Sequence, residues 1–96
     1  KVPTTITFDN MGSDIYTIIE VDTRDRIGLI HDLANTLYKN NISIFTAIIA
    51  TYGEQAVDTF YIKDLFGLKL YSKSKQEKIS LSLRNSIEEG AGKAMQ

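Results

Sequence analysis

The chain has 96 residues, with 11 lysines and arginines against 12 aspartates and glutamates. A chain of this length suits one domain with a single modest core. Its formal net charge of −1 gives no electrostatic reason to expect a nucleic acid or an anionic membrane as a partner. The lack of cysteine excludes disulfides and thiolate chemistry, and no apolar run approaches the ~20 residues that span a bilayer. We therefore expect one cytoplasmic domain over residues 1–96, and its start at lysine instead of methionine indicates a domain of a longer protein.

Two predicted strands open the chain. Residues 4–9 and residues 15–22 are rich in β-branched and aromatic side chains, which favour an extended backbone. Residues 10–14 between them have turn chemistry, so we expect an antiparallel hairpin. Alternation divides the second strand into two faces, with Ile15, Thr17, Ile19 and Val21 on one and Tyr16, Ile18, Glu20 and Asp22 on the other.

The segment from residue 23 to residue 30 leads from the second strand into a helix. Apolar residues then recur at helical spacing and predict a helix over residues 28–39 that ends at Asn40 and Asn41. A strand that enters a helix through a short loop leaves the first N–H groups of the helix unpaired and directed at that loop. Gly28 lacks the side chain that would keep a ligand away from these donors, which favours a site for a carboxylate or another small polar group. The alternative is that Gly28 only lets the chain turn.

Two further strands are predicted at residues 43–52 and residues 55–63. Gly53 and Glu54 form a tight turn between them. The loop that follows, residues 64–70, carries apolar side chains that we expect to pack against the edge of the sheet.

A second predicted helix begins near Ser74, which forms the Ser-x-x-Glu pattern of a capping box with Glu77. An apolar residue at every fourth position from residue 79 onward predicts its buried stripe. Residues 90–96 have no periodicity and predict a frayed, flexible tail. The core of the domain should then run over about residues 4–89.

The predicted order is strand, strand, helix, strand, strand, helix. One four-stranded antiparallel sheet with both helices on one face accounts for it. The first helix must cross over to a parallel third strand, which leaves a slot for the fourth strand, and the first strand pairs with the free edge of the second. The predicted fold class is α/β (α+β), a ferredoxin-like sandwich of order ββαββα.

The third predicted strand is apolar on both faces. Alternation gives Ile44, Thr46, Ile48 and Ala50 on one face against Phe45, Ala47, Ile49 and Thr51 on the other. A sheet with one face in water should alternate more cleanly than this. We therefore expect a second copy or a sister domain to cover the face away from the helices. The alternative is an exposed but tolerable apolar strip.

The usual catalytic constellations are missing. His31 is the only histidine, and without cysteine there is no credible zinc set, so we predict neither a metal nor a cofactor in this domain. Asp22, Asp25 and Asp32 lie near one another in the sequence, but carboxylates at a loop usually cap and solvate, so we predict no catalytic residue. An RNA-binding module of this fold is disfavoured because a basic surplus is absent. An acylphosphatase-type enzyme is disfavoured because residues 23–28 contain one glycine.

The entry loop of an ACT domain, with the pattern Asp-Arg-Pro-Gly-Leu-Leu, resembles the stretch Asp25-Arg26-Ile27-Gly28-Leu29-Ile30. Members of that family bind amino acids and thereby regulate attached enzymes, so the resemblance implies that these six residues bind an effector. Ile27 stands where the family has proline. Because proline would pre-set the backbone entering the helix, we expect a looser loop and weaker binding here.

Two longer stretches, residues 49–61 and residues 64–67, are similar to the C-terminal ACT domain of bacterial protein-PII uridylyltransferases. The resemblance implies a parent enzyme that uridylylates the PII signalling protein when glutamine is scarce and removes the uridylyl group when glutamine is plentiful. It also implies that catalysis belongs to other domains, so that this chain is a glutamine-sensing regulatory domain and not itself an enzyme. The alternative is a protein-interaction or dimerisation module without a ligand of its own.

The resemblance and the loop chemistry together predict how glutamine binds. We expect its α-carboxylate to accept hydrogen bonds from the N–H groups of Leu29 and Ile30, and Asp25 to bind its α-ammonium group. A valine at position 28 should abolish binding at little cost in stability, provided that Gly28 has a negative φ.

Overall fold

The computed structural model describes residues 2–94. Its elements follow the predicted order: β1 (Thr5–Asp9), β2 (Thr17–Arg24), α1 (Leu29–Lys39), β3 (Ser43–Tyr52), β4 (Gln55–Lys63) and α2 (Lys73–Ala94). The predicted bounds of β3 and β4 are confirmed. β2 begins later than predicted because the hydroxyl of Ser13 accepts hydrogen bonds from the N–H groups of Ile15 and Tyr16 (3.1 Å each), which keeps both residues in the turn.

The four strands form one antiparallel sheet in the order β1-β2-β4-β3. β4 fills the slot between β2 and β3, as the crossover through α1 requires, and β1 pairs along the other side of β2. The predicted ferredoxin-like ββαββα architecture is confirmed. In the part of the chain that the structure describes, neither helix is long and apolar enough to cross a membrane.

The core lies between the two helices and one face of the sheet, which we call the helix face. β2 and β4 bury alternate residues on this face, namely Thr17, Ile19, Val21 and Thr23 of β2 and Ala56, Asp58, Phe60 and Ile62 of β4. The apolar members of this set form one cluster with Leu29, Leu33 and Leu37 of α1 and Ile79, Leu83 and Ile87 of α2. Both helices therefore pack on the same face, and the predicted stripe of α2 is confirmed.

β3 departs from strict alternation at Phe45. The register with β4 pairs Ile44 with Ile62 and then Thr46 with Tyr61, which leaves Phe45 as an extra residue in a β-bulge. One inserted residue changes which side chains before and after it share a face. The predicted division of residues 46–51 is therefore confirmed, but the predicted faces of Ile44 and Phe45 are exchanged. The helix face carries Ile44, Ala47, Ile49 and Thr51, and the opposite face, which we call the outer face, carries Phe45, Thr46, Ile48 and Ala50.

The loop between β4 and α2 does not pack as predicted. Leu65, Phe66 and Leu68 are exposed, Phe66 by 76%, so the expectation that they cover the edge of the sheet is wrong. The carboxylate of Asp64 accepts hydrogen bonds from the N–H groups of Phe66 (2.8 Å) and Leu68 (2.9 Å). These bonds fold the loop back on itself. Leu70 is buried, as expected.

The start of α2 also differs from the prediction. The helix begins at Lys73, one residue before Ser74, but its capping residue is a different one. The hydroxyl of Ser72 accepts a hydrogen bond from the N–H of Lys75 (3.3 Å), so Ser72 is the capping residue. The predicted capping box between Ser74 and Glu77 is therefore wrong, because Ser74 already lies inside the helix.

Residues 90–94 continue α2 where we expected a frayed tail. Glycine is a poor helix former, but Gly90 packs closely against two side chains. A Cβ at Gly90 would overlap the guanidinium group of Arg26 and would lie 2.6 Å from Oδ2 of Asp32. This tertiary contact stabilises the helix where local propensity does not. The last two residues of the predicted tail lie outside the described residues.

Candidate functional site

The loop that joins β2 to α1 is held by backbone hydrogen bonds at both ends. The N–H of Asp25 donates to the carbonyl of Glu54 (2.8 Å), which ties the start of the loop to the turn between β3 and β4. Gly28 occupies the N-cap position of α1, and its carbonyl accepts from the N–H of Asp32 (3.0 Å). The loop therefore keeps its shape through main-chain contacts and leaves the side chain of Asp25 exposed.

Backbone donors at the start of α1 remain available. The N–H of Leu29 makes a long hydrogen bond to the carbonyl of Arg26 (3.3 Å). Within residues 2–94, the N–H groups of Ile30 and His31 have no hydrogen-bond partner, and no side chain caps the helix. Such donors, together with the positive end of the helix dipole, attract an anion. The two N–H groups that are free to bind a carboxylate are thus those of Ile30 and His31. The predicted donors were the N–H groups of Leu29 and Ile30.

Gly28 both permits the turn and leaves these donors uncovered. Its φ of 81° lies in the left-handed region that favours glycine. Among the described residues, a Cβ at Gly28 would meet only Nη1 of Arg26, at 3.6 Å, so the space beside the helix start is open. The expectation that valine at position 28 costs little stability required a negative φ at Gly28, and that expectation is therefore wrong. A branched side chain at this position would strain the backbone itself.

The side chain of Arg26 is largely buried and joins the loop to both helices. Its Nη2 atom donates to Oδ2 of Asp32 on α1 (2.8 Å) and to the carbonyl of Ser86 on α2 (3.3 Å), while Nη1 donates to the carbonyl of Ile27 (3.0 Å). Gly90 provides the space for the guanidinium group. We call the set Arg26, Asp32, Ser86 and Gly90 the Arg26 clamp. The charge of Arg26 is therefore matched inside the domain and does not face the mouth of the loop.

A buried carboxylate lies on the helix face of β4. Asp58 is only 2% exposed, and it pairs with Val21 on β2 and with Ile49 on β3. Its Oδ1 atom has no hydrogen-bond partner among the residues that the structure describes. Burial raises the pKa of Asp58 above its ordinary value, the negative charge of Asp25 raises it further, and a backbone hydrogen bond from Ala50 lowers it. The alternation of β4 places this residue inward, and that position is the sequence signal for its burial.

The family described as "ACR9-like, ACT-like domain" matches residues 5–91 of the chain. The chain belongs to the ACT-like domain family. It is also similar to three bacterial proteins named bifunctional uridylyltransferase/uridylyl-removing enzyme. The identity is 62% over 96 residues in Cereibacter sphaeroides, 63% over 94 residues in Ruegeria pomeroyi and 43% over 86 residues in Azospirillum brasilense.

These matches cover 100%, 98% and 90% of this ACT-like domain, but only 10%, 10% and 9% of the relatives. The chain therefore spans about a tenth of the length of the curated relatives that it matches. No solved structure matches the chain.

The six predicted effector residues of this ACT-like domain differ in accessibility. Asp25, Ile27, Gly28 and Ile30 are exposed, Leu29 is buried in the core, and Arg26 is held in the clamp. What the loop presents to a ligand is thus the carboxylate of Asp25 and the main chain at the helix start. A shallow depression beside the loop is lined by Arg26, Ile27, Gly28, Asp32, Gly90 and Lys93. A more enclosed pocket lies at the opposite end of α1, between Asn41, Phe66, Lys75 and Ile79.

The outer face of this ACT-like domain carries an aromatic cluster. The ring of Tyr16 stacks on that of Phe45, with 4.7 Å between the centroids, and meets the ring of Tyr61 edge-on at 6.3 Å. Ile48 and Tyr52, which lie on the same edge strand as Phe45, are also exposed. A contiguous apolar surface of this kind favours contact with another protein surface, so the domain has a second candidate interface besides the loop.

Proposed function

We propose that this ACT-like domain is a glutamine-sensing regulatory domain of a bifunctional uridylyltransferase/uridylyl-removing enzyme, and that it controls nitrogen metabolism through the PII signalling protein. In this proposal the domain carries out no catalysis itself. It binds the amino acid and thereby alters the two activities of the longer protein, which belong to other domains. The resemblance of the entry loop and the activities named for the relatives support the assignment.

The observation that carries the proposal is the pair of uncovered donors beside Gly28, since the described residues leave the N–H groups of Ile30 and His31 unpartnered. The α-carboxylate of the amino acid accepts hydrogen bonds from this pair, where the helix dipole favours negative charge. Asp25 lies on the same loop and provides an opposite charge for the α-ammonium group. Ile27 leaves the backbone freer than proline would, which lowers the affinity.

Replacement of Gly28 by asparagine tests this site. Asparagine tolerates the left-handed region better than most residues, so Gly28→Asn adds bulk beside the donors with limited strain. We expect glutamine affinity to fall roughly tenfold or more, equivalent to one lost charge-assisted hydrogen bond. Isothermal titration calorimetry on the full-length protein measures the affinity, and urea unfolding measures the stability.

The matched control is Gly67→Asn. Gly67 has a similar φ of 76°, and a Cβ there would meet nothing within 4 Å among the described residues. The control should lose similar stability and bind glutamine as the wild type does. If both variants bind glutamine normally, the site is not at this loop. If the wild type itself binds no glutamine, the proposed ligand is wrong.

A second candidate function, a protein-interaction or dimerisation module without its own ligand, has one observation in its favour. β3 lies at the edge of the sheet, and its ten residues Ser43–Tyr52 include no charged side chain. A long, uncharged edge strand is a template for pairing with another chain. In this alternative a second copy or a sister domain covers the strand, and the loop serves only to enter α1.

A further inference from the structure

The loop between β4 and α2 holds apolar side chains in water through its own hydrogen bonds. The N–H of Asp64 donates to the carbonyl of Leu68 (2.7 Å), and the carboxylate of Asp64 accepts from the N–H groups of Phe66 and Leu68. The side chains of Leu65, Phe66 and Leu68 are nevertheless exposed by 63% or more. An apolar surface that is ordered in this way, and not buried, is typical of a site of contact with another molecule.

A pocket lies between this loop, the C-terminal end of α1 and the first turns of α2. Its lining includes the buried side chains of Ile42, Leu70 and Ile79 and the exposed side chain of Phe66. Its volume of about 230 Å³ is below the roughly 300–1,000 Å³ of typical small-molecule sites. The pocket therefore suits an apolar side chain of a partner better than a whole small molecule.

Three lysines also line this pocket: Lys39 of α1 and Lys75 and Lys78 of α2. The ion pairs among the described residues lie elsewhere, so none of these lysines has a carboxylate partner there. Asp64 is the acidic member of the lining, and its carboxylate is engaged by N–H groups of the loop. The pocket thus carries an excess of positive charge, although the whole chain has a net charge of −1.

We propose that this pocket binds an acidic segment of another protein, in which an apolar side chain is flanked by carboxylates. The apolar side chain fills the space beside Phe66, and the carboxylates pair with the lysines. Protein interfaces commonly place a buried apolar anchor at the centre and complementary charges around it. The pocket lies at the opposite end of α1 from the entry loop, so the proposal does not depend on whether the domain senses glutamine.

An anionic membrane is the other partner that an apolar, basic surface attracts. A bilayer surface is flat and leaves a recess empty, whereas a single side chain fills it. Asp64 also lies in the lining, where it would repel a continuous layer of anionic headgroups. A peptide can place its carboxylates beside the lysines alone, so the pocket favours a protein partner.

The experiment measures the fluorescence anisotropy of labelled synthetic peptides mixed with the full-length protein. The acidic peptide is acetyl-Glu-Glu-Asp-Phe-Leu-Glu-Glu-amide. One control peptide has alanine in place of both apolar residues, and the other has lysine in place of every acidic residue. Co-sedimentation with vesicles of phosphatidylserine and phosphatidylcholine tests the membrane.

We expect the acidic peptide to bind roughly tenfold or more tightly than either control peptide. Its affinity should fall as salt is added, because the lysines are exposed and their charges are screened. An acidic peptide that binds no better than the controls, or does not bind at all, contradicts the proposal. A protein that binds the vesicles but not the acidic peptide contradicts it as well and indicates a membrane site.

Two variants locate the binding site. Phe66→Ala should weaken binding of the acidic peptide roughly tenfold or more, and Lys75→Glu should weaken it most at low salt. Both residues are exposed, so urea unfolding of these variants should resemble that of the wild type.

The matched controls are Leu81→Ala and Lys93→Glu, which make similar changes at exposed residues of α2 outside the lining of the pocket. Both controls should bind the acidic peptide as the wild type does. If Phe66→Ala and Lys75→Glu also bind it as the wild type does, the peptide binds elsewhere and the assignment of the pocket is wrong.

Discussion

β3 and β4 are hydrogen-bonded neighbours in the sheet, yet the burial of their side chains is very different. Four of the nine residues of β4 are buried in strict alternation, whereas none of the ten residues of β3 is buried. Apolarity does not explain the difference, because β3 is the more apolar strand and β4 carries the charged residues Asp58 and Lys63. Position explains it: β4 lies between two strands under the helices, and β3 lies at the edge of the sheet.

The two strands thus differ in what they leave unpaired: β3 exposes apolar side chains at the edge of the sheet, and β4 encloses a carboxylate oxygen that has no hydrogen-bond partner among the described residues. An apolar strand at an edge favours association. A buried carboxylate oxygen that accepts no hydrogen bond is costly and is rare in folded proteins. Each strand thus holds a feature that the isolated domain leaves unsatisfied, and each feature is accessible to a separate experiment.

The largest expected effect comes from removing one aromatic ring from each strand. Phe60 of β4 is fully buried, so Phe60→Ala should lower the free energy of unfolding by about 3–5 kcal/mol. Phe45 of β3 is 68% exposed and stacks on Tyr16, so Phe45→Ala should lower it by only about 0.5–1.5 kcal/mol. Urea unfolding measures both. Equal losses would mean that β3 is covered in solution as fully as β4.

A smaller effect should appear in self-association. We expect the domain to sediment as a dimer at micromolar concentration, and a lysine on the edge strand should oppose pairing there. Ile48→Lys should therefore raise the dissociation constant of the dimer roughly tenfold or more, which is about 1.4 kcal/mol.

The control for association is Thr59→Lys, because Thr59 is the direct partner of Ile48 on the outer face of β4. If the dimer forms through the strand edge, Thr59→Lys should dimerise as the wild type does. If both variants dissociate, the outer face is the interface instead. A wild type that is monomeric throughout would contradict the association itself.

The smallest expected effect is a dependence of stability on pH. Because the pKa of Asp58 is raised in the folded state, its contribution to stability is full below the ordinary aspartate pKa and is lost as the pH rises through the raised value. The free energy of unfolding of Asp58→Asn, relative to the wild type, should therefore increase across that window. Urea unfolding at a series of pH values measures it, with Asp14→Asn as the control for net charge. A flat difference would mean that the carboxylate has a partner in solution.

Sequence patterns were sufficient for the elements and their order because each has a local cause. The bounds of β3 and β4 follow from β-branched runs on either side of Gly53, which has a φ of 62°. The bulge at Phe45 has no local signal in the sequence. Because β3 is apolar on both faces, an inserted residue does not disturb the pattern of apolar and polar residues. Residues 90–94 are helical through contact with Arg26, a residue 60 positions or more away in the chain.

The candidate site was only partly accessible from the sequence. The position of Gly28 at the helix start follows from local spacing and is confirmed. The burial of the Arg26 side chain is not local, because it depends on Ser86 and Gly90 of α2. The burial of Asp58 follows from the alternation of β4, although a charged residue at an inward position interrupts the apolar pattern of that face. That the six loop residues bind an effector stays a prediction.

The Arg26 clamp has a mechanical consequence. One guanidinium group holds the carbonyl of Ile27, the carboxylate of Asp32 and the carbonyl of Ser86 together, and the missing side chain at Gly90 lets α2 sit directly against it. The side chain of Arg26 therefore connects the loop directly to the last turns of α2. A change at this loop therefore acts through one side chain on a helix of 22 residues.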